Sequence, residues 1–473
     1  MLFHRVSGAA LRAEVLTPGR TRWSVPPPYA TMPAPSIAIA LARSIAAGAP
    51  EIDQIVSRAA MILGRRWRFL GPLAQRYLQA FAGQTRPRHR DVLQFLLRDP
   101  GFRRARSRHG GRLHVDRWIA ESDQMQPVPA AADWNVPPLE SIRTLADWLL
   151  LDPGELAWFA DLKALGYKCN HPGLRHYRYH VRVKRSGGIR LVEAPKPRLK
   201  ELQRRILAEI LSCVPVHPAV HGFVTGRSIR TFVGPHIGRR VVLKMDLQDF
   251  FPSISGARIQ ALFRTMGYPE PVAALLGGIC TNPTPRDAWK AAPPDIPPAQ
   301  LREARAFYAR PHLPQGAPTS PSLANLCAYR VDCRLTGLAQ SAGAAYTRYA
   351  DDLAFSGGAT FARCVERFAI HAAAILHEEG FRVHHRKTRV MHQGVRQHLA
   401  GLVTNQRMNV LRADFDLLKA ILTNCVRLGP DTQNREARPF FREHLAGRVA
   451  FVESINPAKG RRLRRIFDQI RWP

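Results

Sequence analysis

Tyr349-Ala350-Asp351-Asp352 is the stretch on which the reading of this chain turns. Two adjacent acids stand between two apolar runs, Tyr346-Thr347-Arg348 and Leu353-Ala354-Phe355. The spacing predicts two strands joined by a tight turn over Ala344 to Ser356, with the acids at the tip. Neighbouring side chains within a strand point to opposite faces. At a turn, by contrast, Asp351 reaches a cleft with Asp352 beside it. An aspartate pair at a turn is also ordinary turn chemistry, so the rest of the chain has to decide between the two.

Upstream lies Lys244-Met245-Asp246-Leu247-Gln248-Asp249-Phe250-Phe251-Pro252-Ser253-Ile254. The run Val241-Val242-Leu243 before it predicts a buried strand, with Asp246 at its end facing a cleft. Between the two acid sites lies Leu313-Pro314-Gln315-Gly316-Ala317-Pro318-Thr319-Ser320-Pro321. Magnesium takes oxygen ligands and needs few protein groups. Two such ions about 4 Å apart stabilise the attacking and leaving oxygens of a phosphoryl transfer. Acids on separate rigid elements, converging in a basic surround, suit that chemistry.

Further outward the pattern mixes helices and strands without regular β-α alternation, which predicts an α+β class. Residues 1–125 read as a basic helical extension, with helical spacing over Ser36 to Ala47 and Ile52 to Phe81. Residues 126–138, rich in Pro and Ala without a clear period, read as a linker. A short helical pair follows in Leu139 to Gly166. Tyr179 to Lys184 and Ile189 to Val192 alternate around Ser186-Gly187-Gly188, which predicts a hairpin. Leu199 to Leu211 reads as an amphipathic helix, residues 282–312 as a Pro-rich insertion, and the chain after Asn405 as helical and basic.

Lys and Arg number 70 against 36 Asp and Glu, a formal charge of +34. Such a surplus repels itself unless a polyanion neutralises it, so nucleic acid is the expected partner. Arg-rich solvated faces are the bland alternative. The seven cysteines, Cys169, Cys213, Cys280, Cys327, Cys333, Cys364 and Cys425, form no C-x-x-C pair. That argues against a disulfide framework and a zinc site and for a reducing cytoplasm. No apolar stretch is long enough to span a membrane. Met1 to Trp23, nearly free of acid, lacks a signal-peptide core and reads as a frayed terminus.

The order acid strand, Leu313–Pro321 loop, double-aspartate hairpin resembles the palm of reverse transcriptases, and in detail the bacterial retron type. Tyr179 to Pro195, His221-Gly222-Phe223 with Gly226-Arg227-Ser228-Ile229, Gly380-Phe381-Arg382-Val383 with Lys387-Thr388, and Gly401-Leu402-Val403-Thr404-Asn405 are similar to further segments of that family. So is His444 to Ile470, with Ile455-Asn456-Pro457 and Gly460. The resemblance covers about residues 140–473. It implies a right-hand polymerase fold: fingers with N-terminal helices over 139–240, a palm with an antiparallel sheet over 241–405, and a helical thumb over 406–473.

It implies an RNA-directed DNA polymerase using two Mg2+ ions, with Mn2+ as a substitute. Asp246, Asp351, Asp352 and the Leu247 carbonyl would be the metal ligands. Lys184 and Arg190 would grip the triphosphate, Asp249 and Phe250 would lie beside the nucleotide, and Phe251 would crowd a 2′-hydroxyl. Gln315 and Gly316 would lie by nucleotide and template, and Lys387 near the phosphates. Partners would be an RNA template, a cognate non-coding RNA, the DNA product, deoxynucleoside triphosphates and an effector protein, with no membrane. The product would be a branched RNA–DNA molecule made in antiphage defence.

Two departures bear on retron membership. Where the family carries Asn-Ala-x-x-His, this chain reads Phe232-Val233-Gly234-Pro235-His236, and where it carries Val-Thr-Gly, Leu399-Ala400-Gly401. A non-retron defence reverse transcriptase and an inactive RNA-binding protein on a polymerase scaffold are the alternatives. Residues 1–125 fit a packing partner and an RNA clamp equally well.

Overall fold

The computed structural model describes residues 34–46, 50–82, 87, 89–116, 124–168, 171–184 and 188–472. Met1 to Trp23, Cys169 and the Ser186-Gly187 turn lie outside the described residues. The chain divides into two units, Met1–Ser122 and Asp123–Pro473.

Among the described residues the first unit has five α-helices: α1 (Ala34–Ala46), α2 (Ile52–Ile62), α3 (Leu70–Ala80), α4 (His89–Arg98) and α5 (Pro100–His109). Leu41, Ile45, Ile55, Ile62, Leu73 and Phe102 close its core. The helical spacing over Ile52 to Phe81 is not one helix. It breaks after Ile62, where Gly64 takes φ 72°, a left-handed conformation that glycine adopts without a steric cost. α5 starts on Asp99, whose carboxylate accepts from Phe102 N–H at 2.6 Å and from Arg76 at 2.7 and 3.0 Å.

In the second unit the helices Ile142–Leu149 and Pro153–Ala160 precede the hairpin β1 (Tyr177–Val183) and β2 (Ile189–Pro195), which is in register from Val183↔Ile189 to Tyr177↔Pro195. Its main sheet has five strands. β3 (Val241–Gln248) is central, and β4 (Ala344–Tyr349), β5 (Asp352–Gly357), β6 (Arg382–Val383) and β7 (Arg389–His392) surround it. The order is β4-β5-β3-β6, with β7 also on β3, and all pairings are antiparallel. Val241, Val242, Leu243 and Met245 are buried, because β3 is covered on both faces. The strand runs on to Gln248, so Asp246 lies within it rather than at its end. Helix Ala359–Glu378 covers one face, with Phe368 set edge-on to Phe355 at 5.0 Å.

Three short strands follow, β8 (His398–Leu399), β9 (Leu402–Val403) and β10 (Asn409–Val410). They share a separate apolar cluster with helices Arg412–Leu428, Phe441–Ile455 and Pro457–Phe467. Asn456 caps the last helix by accepting from Lys459 N–H at 3.1 Å. Gly460 lets that helix lie against Glu453, where a Cβ would come within 2.3 Å of its backbone.

Two segments differ from the sequence reading. Residues 126–138 are not a free linker. Gln126 and Val128 N–H donate to Gly267 and Thr265 carbonyls at 2.8 and 3.2 Å, and Trp134 and Val136 pack on the core. Their prolines hide this, since docking here uses backbone bonds and two apolar anchors rather than a periodic face. The insertion 282–312 carries helix Pro298–Tyr308 and buries Trp289 and Tyr308 against Ile189 and Leu191 of β2. It is thus part of the β1–β2 hairpin's core.

Among the described residues no helix is long and apolar enough to cross a membrane, and six cysteines are free thiols.

Candidate active site

The register of β3 and β5 sets Asp246 directly opposite Asp352. Directly opposed residues of an antiparallel pair share a face, so the two carboxylates emerge side by side. Asp351 stands at the turn before β5, and its carbonyl accepts from Leu247 N–H at 2.9 Å, which ties the turn to β3. Ala350 reaches the turn at φ 55°. Asp246, Asp351 and Asp352 are thereby gathered at one end of the sheet, as the two acid motifs anticipated.

Like charges this close resist ionisation. Burial first, then Asp352 and more weakly Asp246, push the Asp351 carboxyl above the ordinary carboxylate range, while Lys387 pulls the other way. Two lysines offset the remaining charge. Lys387 Nζ donates to both oxygens of Asp246 at 3.0 Å. Lys244 Nζ lies 2.9 Å from an Asp352 oxygen, as an ion pair rather than an aligned hydrogen bond. Lys244 is two residues before Asp246 and so on the same strand face. That spacing was visible in the sequence, although the reading passed over it.

The donors are all hard oxygens, a set that suits Mg2+ or Mn2+. Among the described residues, no three His, Cys, Asp or Glu side chains form a ready-made metal cage. Three carboxylates converge here on only two lysines, and a divalent cation would neutralise the remaining negative charge, so the residues fit such an ion.

The double-aspartate turn is braced from behind. Arg348, fully buried, donates to both oxygens of Asp332 at 2.8 and 2.7 Å, to Asn325 at 3.0 Å and to the Ala350 carbonyl at 3.2 Å. Tyr346 OH adds a bond to Asp332 at 2.8 Å. His221 N–H donates to the Arg348 carbonyl at 2.7 Å, and Asn325 donates to the Gly222 carbonyl at 2.9 Å. Gly222 lies so close that a Cβ there would stand 2.6 Å from the Ala350 nitrogen. His236, the residue left from the family's Asn-Ala-x-x-His, is buried, with its ring nitrogens 2.7 Å from the Ser356 and Thr347 hydroxyls. Burial pushes its pKa down to about 3, so it braces the sheet as a neutral ring.

The other residues singled out from the sequence are placed as follows. Lys184 reaches Asp249 Oδ1 at 2.8 Å, and Asp249 takes φ 49° just before the short helix Phe250–Ser253. Arg190 is exposed on β2 opposite Arg182. Phe251 is half-buried, 6.3 Å from the exposed ring of Phe223. Gln315 accepts from Glu193 N–H through its carbonyl at 2.9 Å, and Gly316, at φ 139°, passes so near that a Cβ would meet the Glu193 carbonyl at 2.8 Å. Phe250 corrects the sequence reading. It is a buried core ring 5.7 Å from Phe381, because the turn at Asp249 points it inward and Phe251 outward.

A buried polar cluster went unnoticed in the sequence. Glu193 on β2, fully buried, accepts from Asn282 and Thr284 at 2.8 Å and pairs with His312 at 2.9 Å. Its members lie too far apart along the chain for any local pattern to expose them.

A profile described as "Reverse transcriptase (RNA-dependent DNA polymerase)" matches residues 183–416. The retron Mx65 reverse transcriptase of Myxococcus xanthus is 44% identical over 299 residues, covering 62% of this chain and 64% of that protein. The retron Mx162 reverse transcriptase of the same organism is 37% identical over 336 residues, covering 68% and 65%. The retron Ec86 reverse transcriptase of Escherichia coli is 29% identical over 292 residues, covering 61% and 79%. The matches to the two Myxococcus relatives thus span slightly less than two thirds of their length.

Proposed function

We propose that this chain is a reverse transcriptase of the bacterial retron type and extends a hydroxyl end with deoxynucleoside triphosphates on an RNA template, a reading its similarity to retron reverse transcriptases supports. The observation that carries this reading is the β3–β5 register, with Asp246 opposite Asp352 and Asp351 at the adjoining turn. The main sheet would be the palm, the β1–β2 hairpin with the helices before it the fingers, and the last three helices the thumb.

Asp246, Asp351, Asp352 and the Leu247 carbonyl would hold two Mg2+ ions. When bound, these neutralise charge on the attacking and leaving oxygens. Lys184 and Arg190 would take the triphosphate, Arg as a fork and Lys as a point charge. Lys184 would leave Asp249 to do so. Phe251, half-buried at the edge of the core, would fill the space of a 2′-hydroxyl and so select deoxynucleotides. Gln315 and Gly316, held by the β2 backbone, would fix the nucleotide against the template. Lys387 would carry the proton that the departing pyrophosphate takes up.

Its template would be a cognate non-coding RNA, its product a branched RNA–DNA molecule, and its setting phage defence with an effector protein, as the retron resemblance implies. A reducing cytoplasm suits the free thiols.

The test is extension of a primed RNA with Mg2+ and labelled deoxynucleotides. The wild type should extend it. Asp351→Ala/Asp352→Ala should reduce synthesis to background while RNA affinity stays within about twofold, because phosphate contacts supply that affinity. A wild type that is inactive, or that prefers ribonucleotides, sinks the reading.

A further inference from the structure

The first unit carries a basic face that polymerisation does not explain. From Pro100 to Val115 the chain holds no acid and includes Arg103, Arg104, Arg106, Arg108 and Arg112. Phe102 and Ala105 turn inward and are buried, which fixes the roll of α5. Arg103, Arg104, Ser107 and Arg108 are therefore exposed, and with Pro100 they line an open groove.

Several partly buried arginines elsewhere are paired with acids: Arg76 with Asp99, Arg464 with Glu453, and Arg334 with Glu378 and Glu379. Among the described residues no carboxylate comes within ion-pair distance of Arg103, Arg104 or Arg108. The one acid at the helix start, Asp99, is buried and already taken by Arg76 and the Phe102 N–H. Arg104 and Arg108 are one turn apart, and like charges at that spacing disfavour a helix. A lone solvated helix gains nothing from this arrangement, whereas a polyanion laid along it is bound by it.

We propose that the α5 groove is a second nucleic-acid site, which binds the backbone phosphates of double-helical RNA. Arg104 and Arg108 stand about 6 Å apart along the helix axis, on the scale of successive phosphates in one strand. The Ser107 hydroxyl between them is a common phosphate donor. Among the described residues the groove has no aromatic lining on which an unpaired base could stack, and this favours a duplex over a single strand. The choice of RNA over DNA rests on the polymerase reading above. The phosphate site itself does not.

The experiment uses the full chain without nucleotides. A labelled RNA hairpin of about 20 base pairs, closed by a short loop, is titrated at several KCl concentrations. The slope of log K against log [KCl] counts the phosphates neutralised, at about 0.7 to 0.9 each. Arg103→Gln/Arg104→Gln/Arg108→Gln should lower the slope by about 2 to 3 and weaken binding at least tenfold. The Arg→Lys triple variant should keep most of the slope, since lysine also neutralises phosphate. Both variants should keep the wild-type melting temperature and extend a short primed template at the wild-type rate.

An unchanged slope in the Gln variant overturns the site. A slope lost equally in the Lys variant, or a loss seen with a DNA duplex but not with the RNA hairpin, overturns it as well. Failure of DNA synthesis in every protein would sink the polymerase reading and leave the slope measurement standing.

Discussion

Asp351 shows why the acids of this site could be found by eye while their tuning could not. The three aspartates sit in short motifs whose chemistry is local. The fate of each charge depends on what folds around it. Burial and Asp352 raise the Asp351 carboxyl, which gives a stability test with a definite sign. A carboxyl whose folded pKa is raised holds its proton more tightly in the native state. Stability is therefore lost as pH rises from the ordinary carboxylate value through the raised one. Without divalent cations, Asp351→Asn should melt higher than the wild type at neutral pH, and the difference should vanish in acid. Calorimetry in chelating buffer reads this directly. A variant that melts lower at neutral pH would show that the turn uses the negative charge structurally. Lys244 marks the limit at this scale. Its place on the strand face was legible, but its partner across the sheet was not, because pairing with Asp352 requires the register.

At the scale of elements, strands and helices with a strong apolar period were readable, and segments held by backbone contact were not. The β1–β2 and β4–β5 hairpins follow from alternation, and the core helices from apolar spacing. Residues 126–138 were misread because their bonds to Gly267 and Thr265 leave no trace in composition. The stretch from Ala219 to Phe223 is a similar case. It lies along the double-aspartate hairpin through His221 and Asn325, and Gly222 has no room for a side chain. Gly222→Ala should push the Ala350 backbone and tilt both acids. A displacement near 1 Å there costs on the order of 100-fold in rate. Single-turnover extension should show that loss, while circular dichroism and nucleotide affinity change little. A normal rate would mean the turn adjusts freely.

For the molecule as a whole, the division into two units bears on how it unfolds. The helical unit closes on Leu41, Ile55 and Phe102, and the sheet unit on a cluster of its own. Units with private cores melt as separate cooperative steps, so calorimetry of the full chain should resolve two transitions. Glu193→Ala strips a fully buried contact with His312 and two further hydrogen bonds, leaving their partners unsatisfied. It should cost about 3 to 5 kcal/mol and move only the sheet unit's transition. A single transition, or an equal shift of both, would contradict that division. The charge surplus pointed to nucleic acid from the start, but only folding shows which arginines lack acids. The alignment of Asp246 with Asp352 also limits how relatives can diverge. One residue gained or lost within 241–248 or 352–357 would turn every following side chain over and send an acid into the oily interior. Insertions and deletions in this lineage should therefore accumulate in the joining segments and spare these two runs, whatever else drifts.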